Sequence, residues 1–530
     1  MRRKAAAPVF KPYVMHQVHL LPPSYDEMID EEHLVRVVSK AVDNLDLSPL
    51  LGKYKGGGTS SYHPQMLLKV FVYAYSQKIY SSRKIAKALR ENIHFMWISG
   101  EQRPDFRTIN DFRGSRMKGV IDEVFAEVLE YLVEVGKVKL ENYYTDGTKI
   151  EADANKHKVV WAKRKDTYQK RVKEQIRELL KQIDAENEAE QAEYGERDLE
   201  ERGGGEGGAE SAEKLKERME ELNRRLRERL QPKKETQGER KALKKLEDDC
   251  LPRLKKYEEQ AKVLAGRSSY AKTDPDASSM RMKEDRGAEK AWPKPAYNVQ
   301  LGTEGQYIVG FSLHGRAADA PCLIPHLEQV RQNLNGRLPQ NIVADAAYGS
   351  EENYAYLEKH GAGNYLKYTT FYQDTHRYRD PEVLRAHQFR AEHFRYEQAT
   401  DTFFCPADKP LHFQYVTRTT SENGFLSERR VYECSDCSDC PLRSQCTQAK
   451  GNRQIRISFR LLEFRRRARE NLTSPTGSRL RARRSVEVET VFGHIKHNMG
   501  FRRFHLRGLE KVKIEWGLVS IAHNLRKLAA

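Results

Sequence analysis

Strand-like and helix-like stretches alternate between residues 140 and 370, which confines the chain to an α/β core with helices covering a sheet. The strand signals AYNVQL and QYIVGFSL follow one another, and a helix is predicted from about Asp319 to Leu334. NIVADAA then reads as a buried strand, with EENYAYLEKHG as the helix after it. Upstream, residues 122–135 read as a helix, and KVKLENYYTDGTKIEA reads as a strand pair turning at Asp146-Gly147. Residues 156–265 interrupt the alternation: they are dense in both charge signs, poor in aromatics, and broken by GGGEGG at 203–208 and QPKKETQG at 231–238. That pattern predicts two or three long helices in an antiparallel hairpin with a flexible glycine tip, as readily a solvated spacer as a functional arm.

The flanks read differently. Residues 1 to about 25 look extended and end in LPPSY, and a helix is expected from Asp26 with Met28, Ile29, Leu34, Val35, Val37 and Val38 as its apolar positions. Pro64 opens the helical stretch PQMLLKVFVYAYSQ. SSRKIAKALRENIHF has Ser81 or Ser82 as its cap and Ile85, Leu89 and Ile93 at four-residue intervals. A further short helix, DFRTINDFRGSRM, follows Pro104. Short helices starting with Ser, Arg and Lys resemble a helix-turn-helix cluster, the alternative being a helical subdomain that only packs on the core. Residues 370–450 read as an irregular, aromatic, Cys-bearing insertion, and the chain is helical from Leu461 to the end.

Charge points to a polyanionic partner. Of the 530 residues, 93 are Lys or Arg against 76 Asp or Glu, a net +17, and residues 451–530 alone hold 19 basic against 6 acidic residues. This basic run is Arg-rich and interleaved with Phe464, Phe492, Phe501 and Phe504, which favours phosphate contact over a merely solvated face. No run reaches the 18 apolar residues of a membrane span, and the basic start MRRKAAAPVFKPYV has no apolar signal core behind it, so membrane and secreted classes are not expected. Seven cysteines occur, none among the first 249 residues. Cys434, Cys437, Cys440 and Cys446 cluster, with Cys405 upstream. In a reducing compartment this spacing suits a structural zinc or an iron–sulfur site, with free buried thiols as the alternative, because the second ligand pair of a zinc ribbon is absent.

Three acids lie where chemistry is expected. Asp146 ends ENYYTD, Asp345 follows the apolar strand NIVAD, and Glu489 lies on an Arg-rich helix in RRSVEVETVFGHIK. Carboxylates at strand ends mark the ligand edge of open α/β sheets, and three together would call for hard divalent cations. The blocks YYTDGTKIEADANK, IVADAAYGSEENY and VETVFGHIKHNMGFRRFHLRG resemble, in order, the three acidic blocks of DDE transposases of bacterial insertion sequences, in the branch with a Tyr–Arg–Glu–Lys signature. YHPQMLLKVFVYAYSQKIYSSRKIAKALREN and PDFRTINDFR resemble the N-terminal DNA-binding domain of that branch.

The resemblance implies a ribonuclease H-like α/β core with a mixed sheet, an N-terminal all-α DNA-binding domain (1–120), and core segments at 121–155, 266–370 and 461–530. These are separated by the charged helical hairpin (156–265) and a Cys-rich insertion (371–460). It implies that Asp146, Asp345 and Glu489 hold two Mg²⁺ or Mn²⁺ ions for cutting element ends and joining 3′-hydroxyls to target DNA. Glu487 competes for the third position, but the seven-residue step to Lys496 starts at Glu489. Two helical turns, about 7.2 residues, put Lys496 on the face of Glu489. The family arginine four residues before the glutamate would fall at Ser485, with Arg484 one position away, and the signature tyrosine is not identifiable. Arg483, Arg484, Lys496, Arg502, Arg503 and Arg507 are the expected phosphate contacts, and residues 60–117 the main end-recognition region. The partners implied are double-stranded DNA and a second copy in a homodimer on DNA, in a cytoplasmic, nucleoid-associated protein of bacteria. Rival readings are a stand-alone nuclease on the same fold, a domesticated DNA-binding protein without catalysis, and an interaction protein built on the cysteines.

Overall fold

The computed structural model describes residues 24–54, 61–194, 211–228, 236–282, 284, 292–376 and 381–530. The extended start expected before residue 24 and the glycine tip at 203–208 lie outside them. At the centre is a mixed sheet of β1 (Asn142–Glu151), β2 (Lys294–Glu304), β3 (Tyr307–His314), β4 (Asn341–Ala344) and β5 (Gly363–Leu366). The order is β3-β2-β1-β4-β5, and the short strand Ser278–Met280 extends the β3 edge along the start of β2. β2 is antiparallel to β1 and β3, whereas β4 is parallel to β1 and β5 to β4. β1 is therefore central and buried along nearly all its length. β4 pairs with Asn142, Tyr143 and Tyr144 of β1, so the rest of β1, from Thr145 and including Asp146, runs past the end of its parallel neighbour.

The expected turn at Asp146-Gly147 is absent. Both residues lie mid-strand, opposite Leu301 and Gln300 of β2. Asp-Gly favours a turn locally, but here Gly147 leaves room for distant side chains. A Cβ on it would come within 2.4 Å of Gln300 Nε2 and 2.5 Å of Asp319 Oδ1.

The N-terminal helices, among them Pro64–Ser76, Ser82–Glu91 and Ile121–Glu134, share one apolar core with the sheet. Helix Leu509–Leu528 runs through this core, and its Asn524 amide bonds both the N–H and the carbonyl of Ile308 on β3, at 2.7 and 2.9 Å. The helix expected from Asp26 begins only at Leu34. Asp26 instead accepts from the Arg36 guanidinium (2.8 Å) and the Trp97 indole (2.9 Å), which holds residues 25–28 as turns.

Between β1 and β2 the chain forms helices Ala162–Tyr194, Ala212–Glu228, Thr236–Lys245 and Leu251–Leu264. They pack on their own seam, which includes Val172, Ile176, Leu215, Met219, Leu246 and Leu254, and a two-stranded ribbon, Val159–Trp161 with Ser269–Ala271, closes the root. Beyond β5, the region expected to be irregular is a five-stranded antiparallel sheet. Its strands are β6 (Arg395–Glu397), β7 (Thr402–Phe404), β8 (Pro410–Thr420), β9 (Leu426–Cys434) and β10 (Gln454–Ile457), in the order β10-β9-β8-β7-β6. Most of β8 is exposed, so its side chains show no apolar alternation for a sequence reading to detect. Among the described residues no helix is long and apolar enough to cross a membrane.

Candidate active site

The first acid is carried by β1, where Asp146 is buried and its Oδ1 accepts the Gly147 N–H at 2.7 Å. The second, Asp345, directly follows β4. Its carboxylate accepts the Ala347 N–H (2.9 Å) and caps a single helical turn, Ala346–Tyr348. That turn sends Tyr348 under the sheet, where its hydroxyl donates to Gln300 Oε1 at 2.5 Å. Burial, with the nearby charges of Asp146, Asp319 and Asp345, holds the Tyr348 phenol well above the usual tyrosine range.

The third acid comes from a long helical run. Ser474 caps Pro475–Arg484 by accepting the Gly477 N–H at 3.0 Å, and the run continues through wide π-type turns at Ser485–Glu489 and His494–Asn498. Such turns insert an extra residue and shift the register of side chains, often at functional sites. Glu487 and Glu489, two residues apart on the helical run, face different surroundings. Glu487 is buried: Oε1 accepts from Arg483 Nε at 2.7 Å, and Oε2 from the Gln306 N–H at 2.7 Å in the β2–β3 turn. Glu489 keeps 53% of its side chain exposed and accepts from Arg484 Nη2 at 3.0 Å.

Arg484 joins the elements. Its Nη1 lies 3.7 Å from Asp146 Oδ2, so one guanidinium links the first and third acids, and Nη1 has no hydrogen-bond partner among the described residues. At the end of β5 the half-buried Lys367 has its pKa lowered by burial and by the charges of Arg484 and Arg481, while Asp345 and Glu489 act in the opposite direction. Arg484 thus lies beside both Asp146 and Glu489, while the charges of Asp345 and Glu489 act on Lys367 and those of Asp146 and Asp345 act on Tyr348. Sequence reasoning misses Lys367 and Tyr348. The signal available is their position, in NYLKY after β5 and DAAYG after β4.

On the opposite face of β1, Lys149 pairs with Asp319 at 3.0 Å, and Asp319 also accepts from Asn298 (2.7 Å) and Gln300 (3.1 Å). Burial opposes ionisation of Asp319, yet the Lys149 charge and these hydrogen bonds keep its pKa below the usual carboxylate value.

The six basic residues expected to meet phosphate are all engaged within the protein. Arg483 pairs with Glu487 at 2.7 Å, Arg484 with Asp146 and Glu489, and Lys496 with Glu284 at 2.5 Å. Arg503 and Arg507 each reach Asp153 at 2.9 Å. Arg502 bonds the Lys496 carbonyl (3.0 Å) and the His497 ring (2.8 Å). Lys496 lies in the second π-type turn rather than on a regular helical face shared with Glu489.

The cysteines gather at one end of the five-stranded sheet. Cys434 and Cys437 are buried, and Cys405, Cys440 and Cys446 half-buried. Burial, a hydrogen bond with Cys437 and the neighbouring Cys405 push the Cys434 thiol up to about 12; burial and the other thiols raise Cys446. Among the described residues no group of three or more His, Cys, Asp or Glu is arranged to hold a metal ion. The acids are hard oxygen donors suited to divalent cations, with the Arg484 guanidinium supplying positive charge between two of them.

Comparison with known protein families gives two matches. Residues 404–529 match the family described as Transposase DDE domain, and residues 23–115 match Transposase domain (DUF772). Together they support a transposase of the DDE type found in insertion sequences. Glu489 lies inside the first match, whereas Asp146 and Asp345 lie in the stretch between the two. No curated protein and no solved structure matches the chain.

Proposed function

We propose that this protein is a DNA transposase that binds the ends of its insertion sequence, cleaves them and joins the 3′-hydroxyl ends to target DNA. The observation that carries the reading is the Arg484 guanidinium, 3.7 Å from Asp146 and 3.0 Å from Glu489, which joins two of the three acids from elements far apart in the chain. The strand order β3-β2-β1-β4-β5, in which β2 alone runs against the other four, supports a ribonuclease H-like core. The engagement of Glu487 by Arg483 and Gln306 supports Glu489 as the third acid.

In this reading Asp146, Asp345 and Glu489 hold two Mg²⁺ or Mn²⁺ ions. Divalent ions held there would supply activation of a water or a DNA 3′-hydroxyl and charge stabilisation of the leaving oxygen. β1 and β4 fix two carboxylates on rigid backbone, and the helical run brings the third against them. Arg484 and Lys367 place cationic groups beside the acids, where scissile phosphate charge accumulates. Two ends cut and joined together require a homodimer on duplex DNA, in a cytoplasmic, nucleoid-associated protein. A structural zinc at Cys434, Cys437, Cys440 and Cys446 is read out by metal content of the purified protein.

The test is cleavage of DNA carrying the element's ends, with Mg²⁺, by wild type, Asp146→Asn, Asp345→Asn and Glu489→Gln. Cutting and joining are expected only from wild type, with DNA binding retained in all four. A wild type that binds the ends but never cuts with any divalent metal would make this a DNA-binding protein instead.

A further inference from the structure

The Asp345 carboxylate stands at the head of a single helical turn, and one turn is too short to hold itself in place. Tyr348, the last residue of that turn, is fully buried and is held at both ends. Its carbonyl accepts the side-chain amide of buried Asn353 at 2.8 Å, and that amide also reaches the Ala320 carbonyl at 3.1 Å. Its hydroxyl donates to Gln300 Oε1 at 2.5 Å. Just beyond it, Gly349 lies so close to the chain after β5 that a Cβ there would collide with the Lys367 carbonyl. The backbone that carries the second acid is therefore fixed by its far end, through Tyr348.

Gln300 reaches both acid-bearing elements. It stands on β2 opposite Gly147, the residue after Asp146, and its Nε2 occupies the space that a Cβ on Gly147 would need. Nε2 donates to Asp319 Oδ1 and Asn298 Oδ1, both at 3.1 Å. Asp319 Oδ1 also accepts from Asn298 at 2.7 Å and from Lys149 at 3.0 Å. A carboxylate can only accept, so the Gln300 nitrogen must face Asp319 and its oxygen must face the tyrosine. The donors consequently all point one way, from Tyr348 through Gln300 to Asp319. Tyr348, Gln300 and Asn298 are fully buried, where water cannot replace a lost bond. Alternation along β1 puts Gly147 and Lys149 on the face opposite Asp146, so this chain of bonds acts on the acids through the backbone and touches no reacting atom.

We infer that Gln300 and Tyr348 are positioning residues for the second acid: the Gln300 amide, oriented by Asp319, holds the Tyr348 hydroxyl, and Tyr348 holds the turn that presents the Asp345 carboxylate to a divalent cation. The inference deepens the transposase reading and rests on it for the role of Asp345. The same amide presses on Gly147 beside Asp146 and grips the turn that begins at Asp345, so it couples the positions of the first two acids.

The test measures Mn²⁺ binding to the full chain by electron paramagnetic resonance without DNA, and kcat and KM for end cleavage on the same preparations. It compares wild type, Tyr348→Phe, Gln300→Met, Asp345→Asn and Tyr356→Phe. Tyr348→Phe keeps the ring and its packing, and circular dichroism checks the fold of each variant. Tyr356 is the control: it lies on the helix after the turn, Glu351–Lys359, and its hydroxyl donates to Glu328 at 2.7 Å, away from the three acids. Loss of an outer hydrogen bond that orients a ligand weakens metal binding by about 10–100-fold. Tyr348→Phe and Gln300→Met should therefore bind Mn²⁺ about tenfold more weakly and cleave with kcat about tenfold lower, with KM for end DNA unchanged. Tyr356→Phe should match wild type in both. If Tyr348→Phe and Gln300→Met unfold earlier yet bind Mn²⁺ and cleave as wild type does, the two residues only pack the core; the inference is overturned and the transposase reading stands. Wild-type Mn²⁺ binding that persists unchanged in Asp345→Asn would overturn the role of Asp345 and the inference with it.

Discussion

Replacing Glu487 separates the two acidic residues of the π-type turn. Its side chain is 3% exposed and holds two charge-assisted hydrogen bonds, from Arg483 Nε and the Gln306 N–H, both at 2.7 Å. Such bonds contribute about 1.5–3 kcal/mol each when neither partner can turn to water. Arg483 is 63% exposed and can resolvate, so its bond counts for less than about 1 kcal/mol. The Gln306 amide cannot resolvate as easily, because Gln306 is held at φ 62° in the β2–β3 turn and also bonds the Val486 carbonyl at 3.1 Å. Glu487→Ala should therefore cost about 2–3 kcal/mol, and Glu487→Gln about half that, since the amide oxygen can still accept from Gln306. Glu489→Gln, on a half-exposed side chain, should change stability by less than about 1 kcal/mol. Urea unfolding followed by circular dichroism measures these differences, and the end-cleavage assay is run on the same preparations. Glu487→Ala should be destabilised yet cleave in proportion to its folded fraction, whereas Glu489→Gln should be stable and inactive. A Glu487→Ala protein as stable as wild type but unable to cut would refute the reasoning and move the third acid to Glu487.

Other expectations are equally direct. Gly147→Ala forces a methyl against Gln300 and Asp319 and should cost roughly 1–3 kcal/mol, seen as a lower unfolding midpoint. Asp319→Ala leaves the Lys149 ammonium buried without its partner and should destabilise by about 3 kcal/mol, which Lys149→Met in the same chain should partly restore. Burial pushes His314 and His523 down to about 4, so they stay neutral while the unfolded chain takes up protons below about pH 6.5. Stability should then fall as pH drops from about 6.5 to about 4, by about 2 kcal/mol per histidine at pH 5, and the dependence should flatten in His523→Gln.

The three candidate acids were singled out because each sits in a contiguous motif that resembles a family block, although Asp146 lies mid-strand and not at the turn expected there. The strands NIVAD and AYNVQL, the helix opened by Pro64 and the charge-dense helices after residue 160 declare themselves through the period of their apolar residues or through charge density. Other features carried no local signal. β8 is exposed along most of its length, so alternation never marked it as a strand. Glu487 and Glu489 are near-equivalent in sequence and are told apart only by the turn of β2 into β3, which reaches Glu487 through Gln306.

What the sequence alone determined is the basic excess at the C-terminus and the main strands and helices of 294–359, because these follow from composition and periodicity within short windows; the three acidic blocks stood out through their resemblance to a family. The tertiary structure decided which charges are free. Arg503 and Arg507 find Asp153 some 350 residues away, and Lys496 finds Glu284. Arg83, Arg107 and Lys511 have no such partner among the described residues and line one groove. Coulomb attraction acts through space, so only the folded chain sets which charges are neutralised and which remain to meet a phosphate.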